Sequence, residues 1–225
     1  MLTWLRAIFF AMQDKRGVSA LHLMRLLGLK SYATAWGMLQ KIREALRQRD
    51  DRYMLKGVVE LDCAHFGKQE TGNQSELLIA IESKDWVDEK SRPKSKAGFA
   101  KVLVARETKR EVQAFVDKAI TPGTLVNTDG GSALRDLKHV EADYQVTHQD
   151  GDLIDRWLPW VHRFISNAKT WLLGTHHGID AKYLARYMAE YTYRFNRRHD
   201  PDSLFHRALV ARSVATPATL RTLSG

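Results

Sequence analysis

Apolar and polar positions change their spacing near residue 50 of this 225-residue chain. Before that point, apolar residues recur every three or four positions, which is the helical period. Gly17 is expected to end a first helix. Gly28 is expected to make a turn between two further helices, with Ser19 and Ser31 as their caps. The pattern predicts a small all-helical domain over residues 1–50. The apolar face of its first helix is predicted to consist of Leu2, Leu5, Ile8, Phe9 and Met12.

A helix, a glycine-containing turn and a second helix form the order of a helix-turn-helix. In that motif the second helix projects its N-terminal side chains into the major groove of DNA. The residues expected to reach the bases are Lys30, Tyr32 and Thr34, and those expected to contact phosphates are Lys41, Arg43 and Arg47. A helical bundle without any ligand fits this segment equally well.

After residue 57, short β-branched and aliphatic runs alternate with polar turns, which predicts strands. Strands are predicted over 58–67, 75–86, 98–108 and 124–131, with an amphipathic helix over 109–120. Three strands, a helix, a further strand and then helices form the order of an α/β, RNase H-like mixed sheet. This domain is expected over residues 57–212, with a tail over 213–225. The lysine-rich stretch from Lys84 to Gly98 is expected to be a loop.

Charge and cysteine content limit the possible binding partners and the cellular compartment of the protein. The formal net charge of +9 favours a polyanionic partner, most simply nucleic acid. No apolar run is long enough to span a bilayer, and Arg6 interrupts the apolar N-terminus, which argues against a secretory signal. Cys63 is the single cysteine, so an internal disulfide and a multi-thiolate zinc site are excluded. A reducing cytoplasm is consistent with this content.

Two aspartates follow predicted strands. Asp62 is expected to close the first strand and Asp129 the fourth, so the two carboxylates converge at one sheet edge if these strands are neighbours. Such a pair suits Mg²⁺, which takes a few carboxylates and keeps its other positions for water and phosphate oxygens. Two such ions can serve an in-line displacement at phosphorus. An aspartate after a buried strand is also a common turn residue.

Two later segments carry polar groups on predicted helices. His162, Ser166 and Lys169 are spaced to share one helix face, flanked by apolar residues, so this helix is predicted to present polar groups to a site. Arg197 and Arg198 lie at a basic helix end. That end binds the DNA backbone or places cations where the helix dipole favours them.

Four blocks in the second part of the chain resemble, in order and spacing, the bacterial insertion-sequence transposases of the ISXO type, insertion sequence family 1595. The blocks are VELDCAHFG, VNTDGGSALRDL, ISNAKTWLLGTHHG and YLARYMAEYTYRFNRR. The helix-turn-helix segment GVSALHLMRLLGLKSYATAWGMLQKIREAL also resembles that of the family. The resemblance covers nearly the whole chain.

The resemblance implies a DNA transposase that cuts insertion-sequence ends and joins the 3′-hydroxyl to target DNA by metal-dependent phosphoryl transfer. Mg²⁺ or Mn²⁺, two ions, is the expected cofactor. Asp62 and Asp129 match the first two catalytic acids and metal ligands. The third position, often glutamate, is either His162 or Asn167, and both stay candidate catalytic residues and ligands. Lys169 matches a lysine that contacts DNA phosphate near the scissile bond.

The chain departs from the family at its N-terminus, because the cysteine zinc ribbon with which members usually begin is missing and no zinc is expected. A shorter reading frame or a truncated copy is the corresponding interpretation. The expected partners are transposon-end and target DNA, with a homodimer or larger assembly on paired ends, in the bacterial cytoplasm on the nucleoid. Two alternatives remain: an inactive remnant that only binds DNA, and a structure-specific nuclease without strand transfer.

Overall fold

The computed structural model describes residues 1–14, 16–67, 74–87, 93–144, 157–176 and 179–219. The helices are α1 Leu2–Gln13, α2 Ala20–Leu27, α3 Tyr32–Asp50, α4 Lys109–Ala119, α5 Pro159–His176, α6 Ala181–Asn196 and α7 Leu204–Val214. The strands are β1 Val58–Phe66, β2 Ser75–Val87, β3 Pro93–Val104, β4 Leu125–Thr128 and β5 Glu141–Tyr144. Within the part of the chain that the structure describes, no helix has the length and apolarity needed to cross a membrane.

Packing divides the chain into two compact units. The helical unit comprises Met1–Arg52 and Thr170–Gly225, and the sheet unit comprises Tyr53–Lys169. These bounds differ from the predicted ones, which placed residues 57–212 in one domain. The C-terminal helices α6 and α7 pack with α1 to α3 in a single apolar core, and this contact joins segments far apart in sequence.

The N-terminal helices follow the predicted turn chemistry. The Ser19 hydroxyl accepts a hydrogen bond from the backbone N–H of His22 (3.2 Å) and so caps α2. Gly28 ends that helix at φ 64°, in the left-handed region that glycine adopts without steric cost. Ser31 precedes α3, but its side chain makes no cap hydrogen bond. Helix α1 ends at Gln13, before Gly17.

The buried face of α1 differs from the predicted one. Ala7, Ile8, Ala11 and Met12 are buried. Leu2 and Phe9 are 59% and 41% exposed. The small alanines belong to the core side because α1 packs closely against α7 and α2, and apolar spacing alone does not distinguish a small contact residue from a surface one.

The sheet unit contains five strands in the order β3-β2-β1-β4-β5. Strand β2 is antiparallel to both β1 and β3, whereas β1, β4 and β5 run parallel to one another. Helix α4 connects β3 to β4, as the sequence predicts. This α/β arrangement confirms the RNase H-like mixed sheet. The strand β5 was not predicted, because it has only four residues and two of them are acidic.

The predicted loop from Lys84 to Gly98 is wrong over most of its length. Strand β2 continues to Val87 and β3 begins at Pro93, and the two pair with Lys84 opposite Lys96. The backbone ladder forms although the side chains are polar. Lys94 and Lys96 are exposed on β3, an edge strand, where lysines are favoured because they discourage pairing with another chain.

The two faces of β1 have different partners. Val59 and Leu61 belong to an apolar core that includes Val112 and Val116 of α4. Because side chains alternate along a strand, Glu60 and Asp62 share the opposite face. The N-terminus of α5 is attached there through Glu60, and this face of β1 therefore positions the site.

Candidate active site

Asp62 lies on β1, and Asp129 directly follows β4, the neighbouring parallel strand. The register pairs Glu60 of β1 with Asn127 of β4, so a continuation by two residues brings Asp62 alongside Asp129. Asp62 was predicted to close strand β1, but the strand continues to Phe66. Asp129 does follow the last residue of β4. The two aspartates therefore meet where β4 ends beside a longer β1.

The turn after β4 fixes the position of Asp129. Its Oδ1 accepts a hydrogen bond from the N–H of Gly131 (2.9 Å), and the Thr128 hydroxyl accepts one from the N–H of Gly130 (3.2 Å). Gly130 has φ 72°, which a side chain would strain. The indole N–H of Trp157 donates to the Thr128 carbonyl (2.8 Å), so the segment before α5 is tied to the same turn.

Helix α5 brings His162 close to Asp62 of β1. His162 Nε2 lies 3.5 Å from Asp62 Oδ2, and the two side chains are 29% and 14% exposed. Asp62 Oδ1 accepts a hydrogen bond from the Cys63 N–H (2.8 Å). Further along the same helix, Lys169 Nζ lies 5.5 Å from the ring centroid of Phe66, at the end of β1. His162 and Lys169 thus line the same strand.

Asn167 does not share this face. Five residues correspond to a rotation of about 140° around a helix between His162 and Asn167. Asn167 is exposed. Of the two candidates for the third position, the structure brings His162 and not Asn167 to Asp62.

The model of the ISXO2-like transposase domain matches residues 54–196, well over half of the chain. The chain belongs to the ISXO2-like transposase family. The match includes both aspartates, His162 and Lys169, so the residues gathered on β1, β4 and α5 lie inside the family domain. No curated protein matches this transposase.

Among the solved structures that are similar to this chain, two have 15% sequence identity to it. One is the HTLV-2 integrase catalytic core domain in complex with magnesium, in a trimeric form, with a TM-score of 0.33; the match covers 62% of this chain and 85% of that one. The other is the simian T-cell lymphotropic virus intasome in complex with PP2A regulatory subunit B56 gamma, with a TM-score of 0.35 and coverages of 84% and 65%. Because both TM-scores are low, the RNase H-like assignment rests on the strand order.

Glu107 is an acidic neighbour of the site that the sequence analysis missed. Its N–H donates to Glu76 (2.6 Å), and its carboxylate accepts a hydrogen bond from the Cys63 thiol. Burial raises the pKa of Glu107, and the carboxylates of Asp129 and Asp62 raise it further. Its position just past the end of β3, where an acid follows a strand as Asp129 does, was the available signal. Negative charge is therefore concentrated around the two aspartates.

The Cys63 thiol is not a reactive group of this site. Burial raises the pKa of Cys63 to about 12, with further contributions from Glu107, Glu76 and Asp62. The thiol is therefore protonated at neutral pH, and a thiolate is the form required of a nucleophile or a metal ligand.

Glu60 faces the same side of β1 and is buried. Burial raises its pKa, whereas hydrogen bonds from the backbone N–H groups of Val161 and Trp160 and from the side chain of Ser83 oppose the rise. His162 opposes it as well. Glu60 thus interacts electrostatically with His162, but its carboxylate accepts hydrogen bonds from backbone N–H groups.

Two of the predicted phosphate contacts require correction. Arg43 is 1% exposed, and its Nε donates to Glu190 at 2.7 Å. Arg197 is 8% exposed and is paired with Asp50 at 2.6 Å. Both guanidinium groups are buried in ion pairs of the helical unit and cannot reach a DNA backbone in this structure. A basic stretch on a helix does not reveal which cations face a buried carboxylate.

The other predicted DNA contacts lie differently. Lys30, Tyr32 and Thr34 are exposed at the start of α3, and Lys41 is half-buried. Arg198 is also half-buried; its Nη1 donates to the Phe195 carbonyl (2.8 Å) and its guanidinium lies over the Phe195 ring. Of the DNA contacts predicted for the helical unit, those at the start of α3 are thus the exposed ones.

The donor set fits a divalent metal ion that is shared with substrate. Within the described ranges, no group of three or more His, Cys, Asp or Glu side chains is arranged to hold a metal ion. Mg²⁺ needs only one or two carboxylates when phosphate oxygens and water complete its shell. Asp62 and Asp129 supply such carboxylates, and neighbouring negative charge favours a cation.

Proposed function

We propose that this transposase cuts the ends of an insertion sequence and joins the freed 3′-hydroxyl to target DNA. The observation that carries the proposal is that Asp62 lies on β1 and Asp129 directly follows the neighbouring parallel strand β4, with His162 Nε2 3.5 Å from Asp62 Oδ2. Two carboxylates at one sheet edge suit phosphoryl transfer, in which positioning and charge stabilisation supply most of the catalysis.

Each group of the site has a proposed role. Asp62 and Asp129 are the residues that would hold Mg²⁺ or Mn²⁺, as two ions. Bound there, the metal supplies activation of the attacking oxygen and stabilisation of the leaving oxygen. His162 takes the third position beside Asp62 and orients that carboxylate. Lys169, exposed beyond Phe66, contacts the phosphate next to the scissile bond.

The reaction proceeds in two displacements at phosphorus. In the first, water attacks the phosphodiester at the end of the element, and the bond to the 3′-oxygen breaks and leaves a 3′-hydroxyl. In the second, that hydroxyl attacks a target phosphodiester, and a target 3′-oxygen leaves. No covalent bond to the protein forms in either step.

DNA recognition is assigned to the helical unit. Lys30, Tyr32 and Thr34 are exposed at the N-terminal end of α3, which is the part of a recognition helix that enters the major groove. Two ends must be held together before joining, so two or more copies of the chain are proposed to act as one assembly. The reaction takes place on DNA inside the bacterial cell.

A cleavage and strand-transfer assay tests the proposal. Labelled DNA with the flanking element ends is incubated with Mg²⁺ or Mn²⁺ and either the wild-type protein or Asp129→Ala. We expect joined products from the wild type, and DNA binding without products from the variant. Asp117→Ala is the matched control, because Asp117 is an exposed carboxylate on α4 that pairs with His139.

The products separate the alternatives. Cut ends without joined products support a nuclease. Binding without either product supports a remnant that only binds DNA, for which a histidine in place of an acid is the motivating observation. Full activity of Asp129→Ala contradicts the assignment of the site.

A further inference from the structure

Glu60 is a buried carboxylate to which the proposed chemistry gives no role. It lies on β1, two residues before Asp62, and is 1% exposed. Its Oε2 accepts hydrogen bonds from the backbone N–H groups of Trp160 (2.7 Å) and Val161 (2.9 Å). These contacts join residues 100 and 101 positions apart in sequence. A buried charge with two backbone donors indicates a specific structural use.

The two donors belong to the first turn of α5. N–H groups in the first turn of a helix have no acceptor within the helix, and the helix dipole places partial positive charge at this end. A carboxylate is therefore the acceptor best suited to this position. Glu60 caps α5 from a neighbouring strand, in the place of the local N-cap side chain that most helices use.

The cap lies next to the contact between His162 and Asp62. Along β1 the two residues that contact α5, Glu60 and Asp62, are two positions apart. Along α5, Val161 directly precedes His162. A shift of α5 by one residue would move His162 by about 1.5 Å and rotate it by about 100° away from Asp62. The two contacts together define one register of the helix on the strand.

We propose that Glu60 is a positioning residue that sets the register of α5 on β1 and so places His162 against Asp62 and Lys169 near the end of the strand. The inference rests on the proposed function for its catalytic consequence. Its structural part, the capping of α5, is measurable without any activity.

Glu82 offers a matched control. It is also a buried glutamate, 3% exposed, on the adjacent strand β2. Its carboxylate accepts hydrogen bonds from the backbone N–H groups of Lys56 (3.2 Å) and Phe99 (3.1 Å), neither of which belongs to α5. Removal of Glu82 therefore removes a similar buried acceptor without touching the cap.

Amide hydrogen exchange of the full-length chain tests the cap directly. In Glu60→Ala, we expect exchange at Trp160 and Val161 to become about 10- to 100-fold faster, because a hydrogen bond to a charged acceptor is lost. Glu60→Gln keeps an acceptor oxygen and is expected to restore most of the protection. Glu82→Ala is expected to leave exchange at these two amides unchanged.

Kinetics test the positioning. Glu60→Ala is expected to lower kcat for strand cleavage by up to about 100-fold with little change in the KM for DNA, since misplacement by about 1 Å has effects of that size. Glu60→Gln is expected to recover most of kcat, and Glu82→Ala to keep it. If Glu60→Ala does not fold, Glu60→Asp, which keeps the charge but is shorter, is expected to show the same changes at reduced size.

Two results overturn the inference. One is wild-type exchange at Trp160 and Val161 in Glu60→Ala, or in Glu60→Asp where the alanine variant does not fold. The other is an equal loss of kcat in Glu82→Ala, which would reduce the effect to general destabilisation. A wild-type protein that neither cuts nor joins DNA contradicts the proposed function alone, because the exchange measurement still decides whether Glu60 caps α5.

Discussion

Two contacts between a basic and an acidic side chain in this protein have different surroundings. In the helical unit, Arg43 of α3 and Glu190 of α6 are each 1% exposed and 2.7 Å apart. In the sheet unit, His162 and Asp62 are 29% and 14% exposed and 3.5 Å apart. The first contact is closed to solvent, whereas the second is partly exposed.

Burial decides what each contact can do. The Arg43 guanidinium also lies over the Tyr187 ring at 3.7 Å. Neither of its Nη atoms has a hydrogen-bond partner among the described residues. Such a pair holds α3 to α6 but cannot bind a ligand. The partly open pair on β1 and α5 is weaker as a structural contact and is available for chemistry.

Glu190→Ala is expected to have the largest effect on folding. It leaves the Arg43 charge buried without its carboxylate, which costs about 3–5 kcal/mol in the free energy of unfolding. Urea denaturation measures the loss. Glu44→Ala is the control: it removes a partly exposed pair with Arg47 and is expected to cost less than about 1 kcal/mol.

The double variant Arg43→Met with Glu190→Leu separates burial from charge. Replacement of both partners by apolar groups of similar size is often neutral or stabilising, by about 1–4 kcal/mol. We expect it to recover most of the stability lost in Glu190→Ala. A double variant as unstable as the single one would contradict the idea that the unpaired charge is the cause.

Asp62→Asn is expected to affect catalysis and not folding. It removes one negative charge from the metal position while the Oδ1 acceptor for Cys63 is retained, so strand cleavage should fall on the order of 100-fold or more. The free energy of unfolding should change by no more than about 0.5 kcal/mol. Parallel cleavage assays and urea denaturation measure both. A stability loss like that of Glu190→Ala would show that the open pair is mainly structural.

Lys30→Ala is expected to weaken DNA binding to a smaller degree. Although Lys30 is assigned to the bases, its charge also neutralises part of the DNA charge, so its removal should lower the slope of log affinity against log salt concentration by up to about 1. Arg43→Met combined with Glu190→Leu should leave the slope unchanged, because the buried guanidinium contacts no DNA. Fluorescence anisotropy over a salt series measures both. An equal change in slope for Lys30→Ala and for the double variant would show that Arg43 contacts DNA.

The partly exposed pair between Glu44 and Arg47 predicts the smallest effect. Burial raises the pKa of Glu44, but hydrogen bonds from Arg47 and Gln48 and nearby positive charge lower it overall, below the usual 4.5. A carboxyl whose pKa is lower in the folded state stabilises the fold above pH 4.5 and loses that contribution as pH falls through the folded-state value. Glu44→Gln should therefore be less stable than the wild type at pH 7 by less than about 1 kcal/mol. The difference should vanish in acid, as measured by thermal unfolding between pH 3 and pH 7.

Local patterns in the sequence predicted most elements and part of the site. The helical period before residue 50, the cap at Ser19 and the turn at Gly28 depend on neighbouring residues only, and the structure confirms them. The strands β1 and β4 follow from β-branched runs. The placement of Asp62 and Asp129 on the same side of the sheet unit was predictable because β1 and β4 are neighbouring parallel strands.

Other features depended on contacts between distant segments. The strand β5 and the ends of β2 and β3 form through backbone pairing that polar side chains do not reveal. Glu107 reaches the site only because the segment after β3 carries it past Glu76 of β2 to Cys63 of β1. Which of His162 and Asn167 lies beside Asp62 follows from the face that α5 turns to β1.

The sequence by itself determined the helical and strand periods, the positive charge and the two aspartates, since each is a property of neighbouring residues or of composition. The tertiary structure alone decided which charged side chains are exposed to solvent and which are buried. Arg43 and Lys30 are both cations near α3, yet Glu190 of a distant helix covers the first and leaves the second exposed. The energy of a charge depends on its solvent access and on its partner. Both are set by packing between segments far apart along the chain.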